Sequence, residues 1–211
     1  MLIELDNVIP DPIPEKIVES SKLWGKNFRI DTNSRVLVSA QSGMGKSTLL
    51  HLIYGLRKDY SGQISIDGKF IRELYDQHWK DLRKQSISMV FQDLRLFPHL
   101  TARENLQLIP AVNATVPSVD EMAKRLRVDN CLKQLVSTLS HGQRQRVAII
   151  RALQKPFRLL MLDEPFSHLD KENQIHSSGL IQEVVEDNDA GLILSSLGGT
   201  PTLSFGQQIS L

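Results

Sequence analysis

Residues 40–48, Ala-Gln-Ser-Gly-Met-Gly-Lys-Ser-Thr, decide the fold because they connect a short apolar run to a helix. The apolar run, residues 35–39, is typical of a strand buried on both faces of a parallel sheet, and the pattern predicts a helix over 46–56. Gly43 and Gly45 let the backbone wrap closely around an anion, and the amides at the helix start point toward it. The stretch therefore predicts a phosphate-binding loop.

Two polar side chains after the glycines extend this prediction to a nucleoside triphosphate. Lys46 brings a cation to the β- and γ-phosphates, and Ser47 offers its hydroxyl to Mg²⁺. Such loops usually open with glycine, but Ala40 stands at a position that does not touch phosphate, so we expect the geometry to survive. An ordinary glycine turn before a helix is the alternative. The residues predicted to hold the phosphates are Ala40, Gln41, Ser42, Gly43, Met44, Gly45, Lys46, Ser47 and Thr48.

An acidic pair follows a second predicted buried strand, residues 158–162. Asp163 and Glu164 then stand at the carboxyl end of a strand, where sheet proteins bind ligands. One carboxylate can hold Mg²⁺ through water, and the next can act as a general base toward an attacking water. In isolation, a solvated turn before Pro165 explains the pair better. In chain order after the phosphate loop, the pair becomes a strong indication of nucleotide hydrolysis.

The stretch between these motifs carries a family resemblance. Leu139-Ser-His-Gly-Gln143 resembles the Leu-Ser-Gly-Gly-Gln signature of ATP-binding cassette (ABC) ATPases, with His141 in place of one glycine. Other stretches resemble family motifs in the expected order: the early hairpin at 62–68, the Gln loop at 91–93, the transporter-type run at 96–101 and the D-loop at 167–170. The resemblance covers roughly residues 33–196.

This resemblance implies an α/β fold, a P-loop NTPase (RecA-like) core with an N-terminal antiparallel β-layer and an inserted helical subdomain that carries the signature. Residues 1–211 would form one nucleotide-binding domain, with the helical subdomain at approximately 94–153. The alternation of apolar strand-like runs with helical stretches agrees with an α/β core.

The resemblance also implies a mechanism in which two cassettes sandwich two ATP molecules. Gln92 would sense Mg²⁺ and the attacking water, Glu164 would be the base, and Asp170 would communicate across the dimer. The signature residues of one cassette that would cap the γ-phosphate in the other are Ser140, His141, Gly142 and Gln143. The implied metal ligands are Ser47, Gln92 and Asp163, and the implied cofactors are ATP and Mg²⁺.

Two departures from the family pattern concern hydrolysis and adenine binding. The family carries a histidine after the last core strand, whereas residues 192–198 contain none, which leaves Ser196 as the nearest substitute. Loss of one preorganised polar contact to a developing charge typically costs on the order of 10²- to 10³-fold in rate. We therefore expect slow hydrolysis. The usual adenine-stacking aromatic is also missing, and Trp24 is either its replacement or a buried residue of the β-layer.

Composition limits the partners. The single cysteine, Cys131, excludes a disulfide scaffold, and the longest apolar runs are far shorter than the roughly 18 residues that a membrane span needs. The net charge of +1, without a basic tail, gives no reason to expect nucleic acid. We expect a cytoplasmic ATPase that is peripheral on the cytoplasmic face of the membrane, and that pairs with a second cassette and a membrane permease subunit. The alternatives are a degenerate cassette that binds ATP, dimerises and hydrolyses slowly, and a non-transport ABC ATPase.

Four local expectations concern the N-terminus and the helix caps. Leu2–Leu5 is predicted to start an edge strand, and the prolines of 10–14 to form an extended stretch that does not pair. Ser118 is predicted to cap one helix through a capping box, and Asp129 to cap the next.

Overall fold

Two β-sheets and the helices around them make up the fold. The computed structural model describes residues 1–31, 34–109, 113, 115–197 and 203–211. The strands are β1 (Leu2–Pro10), β2 (Phe28–Asp31), β3 (Arg35–Ser39), β4 (Tyr60–Ile66), β5 (Lys69–Phe70), β6 (Ile87–Val90), β7 (Leu159–Asp163), β8 (Gly191–Ser196) and β9 (Gln207–Ser210). The α-helices are α1 (Glu15–Ser20), α2 (Lys46–Ile53), α3 (Asp76–Gln85), α4 (Ala102–Gln107), α5 (Val119–Arg125), α6 (His141–Leu153) and α7 (Lys171–Asp187).

The larger sheet is parallel and has the strand order β6-β7-β8-β3-β9. Every residue of β7 is buried, as are residues 191–195 of β8, which explains why these strands are continuous apolar runs in the sequence. Because all the strands run in one direction, their carboxyl ends meet at one edge of the sheet. That edge brings together the segments that follow β3, β6 and β7.

The smaller sheet is antiparallel, with the order β2-β1-β4-β5. The prediction of an edge strand at the N-terminus was wrong, because β1 pairs with β2 on one side and with β4 on the other. The prediction of a non-pairing stretch was wrong at its first proline as well, since Pro10 lies opposite Tyr60. Proline is compatible with this place because it is the last residue of the strand, where the ladder ends.

The helices α4, α5 and α6 lie between β6 and β7 in the chain, within the stretch 94–153 for which the sequence predicted an inserted subdomain. Ser118 caps α5 by accepting a hydrogen bond from the Glu121 amide, which is one half of the predicted capping box. The predicted cap at Asp129 was wrong: Asp129 is the first residue of a three-residue 3₁₀ turn whose N-cap residue is Val128. Among the described residues, no helix has the length and apolar character that crossing a bilayer requires.

Candidate functional site

The phosphate loop joins the carboxyl end of β3 to the start of α2. Gly45 is the N-cap residue of α2 and has a φ of +99°, and Gly43 has a φ of +82°. Both values lie in the left-handed region that glycine enters without steric cost. Gln41, Ser42 and Gly43 are exposed, while Lys46 is only 5% exposed. The backbone is therefore open to an anion, with a buried cation behind it.

Lys46 folds back across this loop. Its Nζ donates to the carbonyl oxygens of Ala40 and Gln41, at 3.0 and 3.2 Å. The same atom lies 3.3 Å from Oε1 of Glu164. The predicted phosphate cation and the predicted general base thus form an ion pair within the nucleotide-free site.

Asp163 shows that the site fits a divalent cation. The residue is the last of β7 and is 1% exposed, and its Oδ1 accepts a hydrogen bond from the Ser195 hydroxyl at 2.6 Å. Its Oδ2 is buried and has no hydrogen-bond partner among the described residues. A buried carboxylate oxygen without a partner costs free energy, which a cation or its bound water recovers.

Ser47 and Gln92 add further oxygen donors. The Ser47 hydroxyl donates to Oε1 of Gln92 at 3.3 Å, which connects the start of α2 to the segment after β6. Hydroxyl, amide and carboxylate oxygens are the donors that Mg²⁺ prefers. The three residues that the sequence assigned to the metal therefore have the right chemistry for Mg²⁺.

The backbone of Glu164 is held in an uncommon conformation. Its φ is +48°, and its amide donates to both the carbonyl and the hydroxyl of Ser195, at 3.2 and 3.1 Å. Its carbonyl accepts from Nε2 of Gln145 at 3.1 Å. Left-handed backbone at a non-glycine residue persists only where surrounding contacts determine it. Here β8 and α6 fix the direction in which the Glu164 side chain leaves the sheet.

The signature residues form the start of α6. Ser140 is the N-cap, and its hydroxyl accepts from the Gln143 amide while Oε1 of Gln143 accepts from the Ser140 amide. Nε2 of Gln143 lies 3.1 Å from Sγ of Cys131. A Cβ on Gly142 would stand 3.0 Å from the carbonyl oxygen of His168, so the helix start packs directly on the D-loop. These bonds run among the signature residues and to Cys131, and Gln145 supplies the link from α6 to Glu164.

Ser196 and Trp24 are the candidate substitutes for the missing histidine and the missing adenine-stacking aromatic, and they lie in different parts of the fold. Ser196 ends β8 beside Ser39 of β3, at the same sheet edge as the acidic pair. Gly198, the end of the run without histidine, lies outside the described residues. Trp24 is fully buried, which agrees with its interpretation as a buried residue and not with a role in stacking on adenine. The edge of its indole ring lies against Gly45, where a Cβ would stand 3.1 Å from Nε1.

Sequence reasoning missed three residues that support the site. Ser195 holds Asp163 and Glu164, and Gln145 holds the carbonyl of Glu164. Arg57 donates to the Thr48 hydroxyl at 3.3 Å and to the Asp11 carbonyl at 2.7 Å. A signal existed for Ser195, since it is a polar residue at the end of an apolar run. Nothing in the sequence identified Gln145 or Arg57.

Two histidines near the site have lowered pKa values. Burial lowers the pKa of His51 on α2, although the nearby Asp163 carboxylate opposes the shift. Burial also lowers the pKa of His141, and the basic neighbours His168 and Arg144 lower it further. Both imidazoles are therefore neutral at pH 7.

Comparison with known proteins identifies the family. Residues 23–167 match the model of the family described as ABC transporter. This chain belongs to the ABC transporter family. The ABC chain is 34% identical over 174 residues to the thiamine import ATP-binding protein ThiQ of Haemophilus influenzae (strain ATCC 51907), covering 80% of this chain and 78% of that protein. It is 39% identical over 153 residues to the probable sulfate/thiosulfate import ATP-binding protein CysA of Chlorella vulgaris, covering 68% and 61%.

Solved ABC cassettes share the fold. The dimeric structure of MJ0796, a bacterial ABC transporter cassette, matches with a TM-score of 0.76 at 27% identity, over 93% of this chain and 88% of that one. A dimeric post-hydrolysis state of MJ0796 bound to ADP and Pi matches with a TM-score of 0.77 at 26% identity, over the same shares. The predicted α/β cassette fold is therefore confirmed.

Proposed function

We propose that this ABC protein is the ATP-binding subunit of a transporter, in which ATP binding and hydrolysis by a cassette dimer drive transport through a separate membrane subunit. One observation carries the proposal: Lys46 Nζ and the Glu164 carboxylate lie 3.3 Å apart at the carboxyl edge of the parallel sheet. A phosphate-binding cation and a general base thus face the same space. The names of its import relatives and the dimeric MJ0796 cassettes support the transporter assignment.

Each residue at this edge has a distinct task in hydrolysis. Lys46 exchanges its contact with Glu164 for the β- and γ-phosphates, which frees the Glu164 carboxylate to accept a proton from the attacking water. Ser47, Gln92 and Asp163 would hold Mg²⁺, which when bound neutralises charge on the phosphate oxygens. The Ser195 hydroxyl donates to the Asp163 carboxylate and accepts from the Glu164 backbone amide, which keeps both residues in place.

The second half of the site comes from another cassette. The start of α6, where Ser140 is exposed and His141, Gly142 and Gln143 are half-buried, would cap the γ-phosphate bound by the partner, because a helix N-terminus attracts anions. The membrane subunit would hold this dimer on the cytoplasmic face. A slowly hydrolysing cassette is the second candidate, since Ser196 is shorter than histidine and cannot become cationic.

Replacement of Lys46 tests the phosphate loop. We expect Lys46→Ala to weaken ATP binding about 100-fold, because a hydrogen bond to a charged group contributes about 1.5–3 kcal/mol. Isothermal titration calorimetry measures the affinity, and a thermal melt establishes that the variant is folded. Lys80→Ala, an exposed lysine on α3, is the matched control and should bind ATP like the wild type. Unchanged affinity in Lys46→Ala would refute the assignment of the loop.

Replacement of Glu164 tests the catalytic base. We expect Glu164→Gln to bind ATP, to lose at least 100-fold in hydrolysis rate, and to accumulate as an ATP-bound dimer, since the amide cannot accept the proton. Light scattering after gel filtration with ATP measures the dimer, and phosphate release measures the rate. Wild-type turnover in this variant would remove Glu164 from the base role.

A further inference from the structure

Two imidazole rings stack on the surface that the proposed dimer would bury. His141 is the first residue of α6, a helix of 13 residues, and His168 lies in the D-loop between β7 and α7. Their ring centroids are 3.8 Å apart, with the planes inclined by 37°. The Ser167 hydroxyl lies 2.9 Å from Nδ1 of His168 and fixes the second ring. The stack therefore sets the direction of the His141 side chain at the helix start.

His141 has an unused polar atom in this position. Its Nδ1 is buried and has no hydrogen-bond partner in the part of the chain that the structure describes. A buried polar atom without a partner costs free energy, and an incoming ligand group recovers that cost once the ring turns to expose the atom. The other polar side chains of the helix start, Ser140 and Gln143, already bond to each other in the capping box. His141 thus adds a hydrogen-bonding position at the helix start, beside the Ser140 hydroxyl, which only accepts in the capping box.

The surroundings keep this imidazole neutral in the isolated chain. Burial, the His168 ring across the stack and Arg144 on the same helix all lower the pKa of His141. The positive end of the α6 dipole acts in the same direction. An anion at the helix start reverses the balance, because a negative charge within a few ångströms favours the protonated imidazole.

We propose that His141 takes up a proton when the γ-phosphate bound by a second copy of this chain reaches the start of α6, and that the resulting imidazolium donates to a phosphate oxygen. The proton comes from solvent, and no covalent bond forms or breaks. The inference rests on the proposed cassette dimer. The partner's imidazolium supplies the site with a cationic donor. Residues 192–197 of the ATP-binding chain cannot supply one, because they contain no histidine.

Proton uptake during dimer closure tests the proposal directly. In a Glu164→Gln background, ATP-driven dimerisation is followed by calorimetry at pH 7.5 in buffers of different ionisation enthalpy. We expect about one proton taken up per ATP bound, and almost none in the Glu164→Gln/His141→Gln double variant, since glutamine keeps hydrogen-bonding capacity but cannot be protonated. His78→Gln, an exposed histidine on α3, is the matched control and should leave the uptake unchanged.

The pH dependence of the dimer gives a second readout that does not depend on heat. With His141 present, the dimer dissociation constant should rise about tenfold per pH unit for each proton taken up, between pH 7 and 8. With His141→Gln or His141→Gly, it should stay nearly flat. Equal proton uptake and equal pH slopes with and without His141 would overturn the inference and leave the cassette dimer standing. Failure of ATP to form any dimer would overturn both.

Discussion

At the scale of single residues, the phosphate loop offers a matched pair of glycines. Gly43 and Gly45 both have positive φ, but a Cβ on Gly43 meets nothing within 4 Å, whereas one on Gly45 stands 3.1 Å from Nε1 and 3.2 Å from Cζ2 of Trp24. We expect Gly43→Ala to lose about 1 kcal/mol of unfolding free energy from backbone strain alone. Gly45→Ala should lose about 1 kcal/mol more, because the indole must also move.

Urea unfolding of both variants and the wild type measures this difference. If the clash with Trp24 is the cause, replacing the indole with a smaller side chain should remove the extra loss. The Gly45→Ala/Trp24→Leu double variant, compared with Trp24→Leu alone, should then show only the loss due to backbone strain. Equal losses in Gly43→Ala and Gly45→Ala would contradict the contact.

At the scale of elements, Lys155 connects the end of α6 to α3 and β6. Its Nζ donates to the carbonyl oxygens of Arg83 and Ile87, and burial, with Arg83 nearby, lowers the Lys155 pKa to about 8. An unfolded lysine keeps its proton up to about pH 10.4, so between these values the unfolded chain binds a proton that the folded chain has released. The stability contributed by this residue therefore rises with pH from about 8 to 10.

Comparison with Lys155→Met isolates that contribution. We expect the free energy of unfolding of the wild type, minus that of the variant, to increase between pH 8 and 10 by up to about 1.4 kcal/mol per pH unit. Urea unfolding at pH 7, 8, 9 and 10 provides the values. A difference that stays constant, or falls, with pH would show that the ammonium group is not buried as the structure has it.

At the scale of the whole molecule, the proposed dimer builds the site from two copies, so hydrolysis should depend on protein concentration. We expect the specific Mg·ATPase rate of purified protein to rise with concentration and to level off once the dimer predominates. Phosphate release is measured over a wide range of protein concentrations, with Lys46→Ala as the blank. A rate above the blank that is independent of concentration would contradict a site completed by a partner. A rate at the blank with ATP still bound would favour the slowly hydrolysing cassette.

Local sequence determined the parts of this protein that depend on neighbours in the chain. Residues 40–48 specify the phosphate loop, because glycine adopts the positive φ at 43 and 45 without the strain that other residues incur. The buried strand that ends at Asp163 follows from an uninterrupted apolar run, whereas β3, predicted to be buried on both faces, is fully buried only at Val36 and Val38. The alternation of strands and helices then fixes the α/β class, and parallel strands bring their carboxyl ends, with Lys46 and the acidic pair, to one edge.

Only the tertiary structure decided what depends on residues far apart in the chain. The interior position of β1, the bond from Ser195 to Asp163 and the stack of His141 on His168 each join separate segments, and no local pattern encodes their register. Trp24 shows the same limit, because the sequence does not distinguish an aromatic residue that stacks on a ligand from one that lies beneath a loop. Packing decides such cases, since burial and hydrogen-bond satisfaction are properties of the assembled fold.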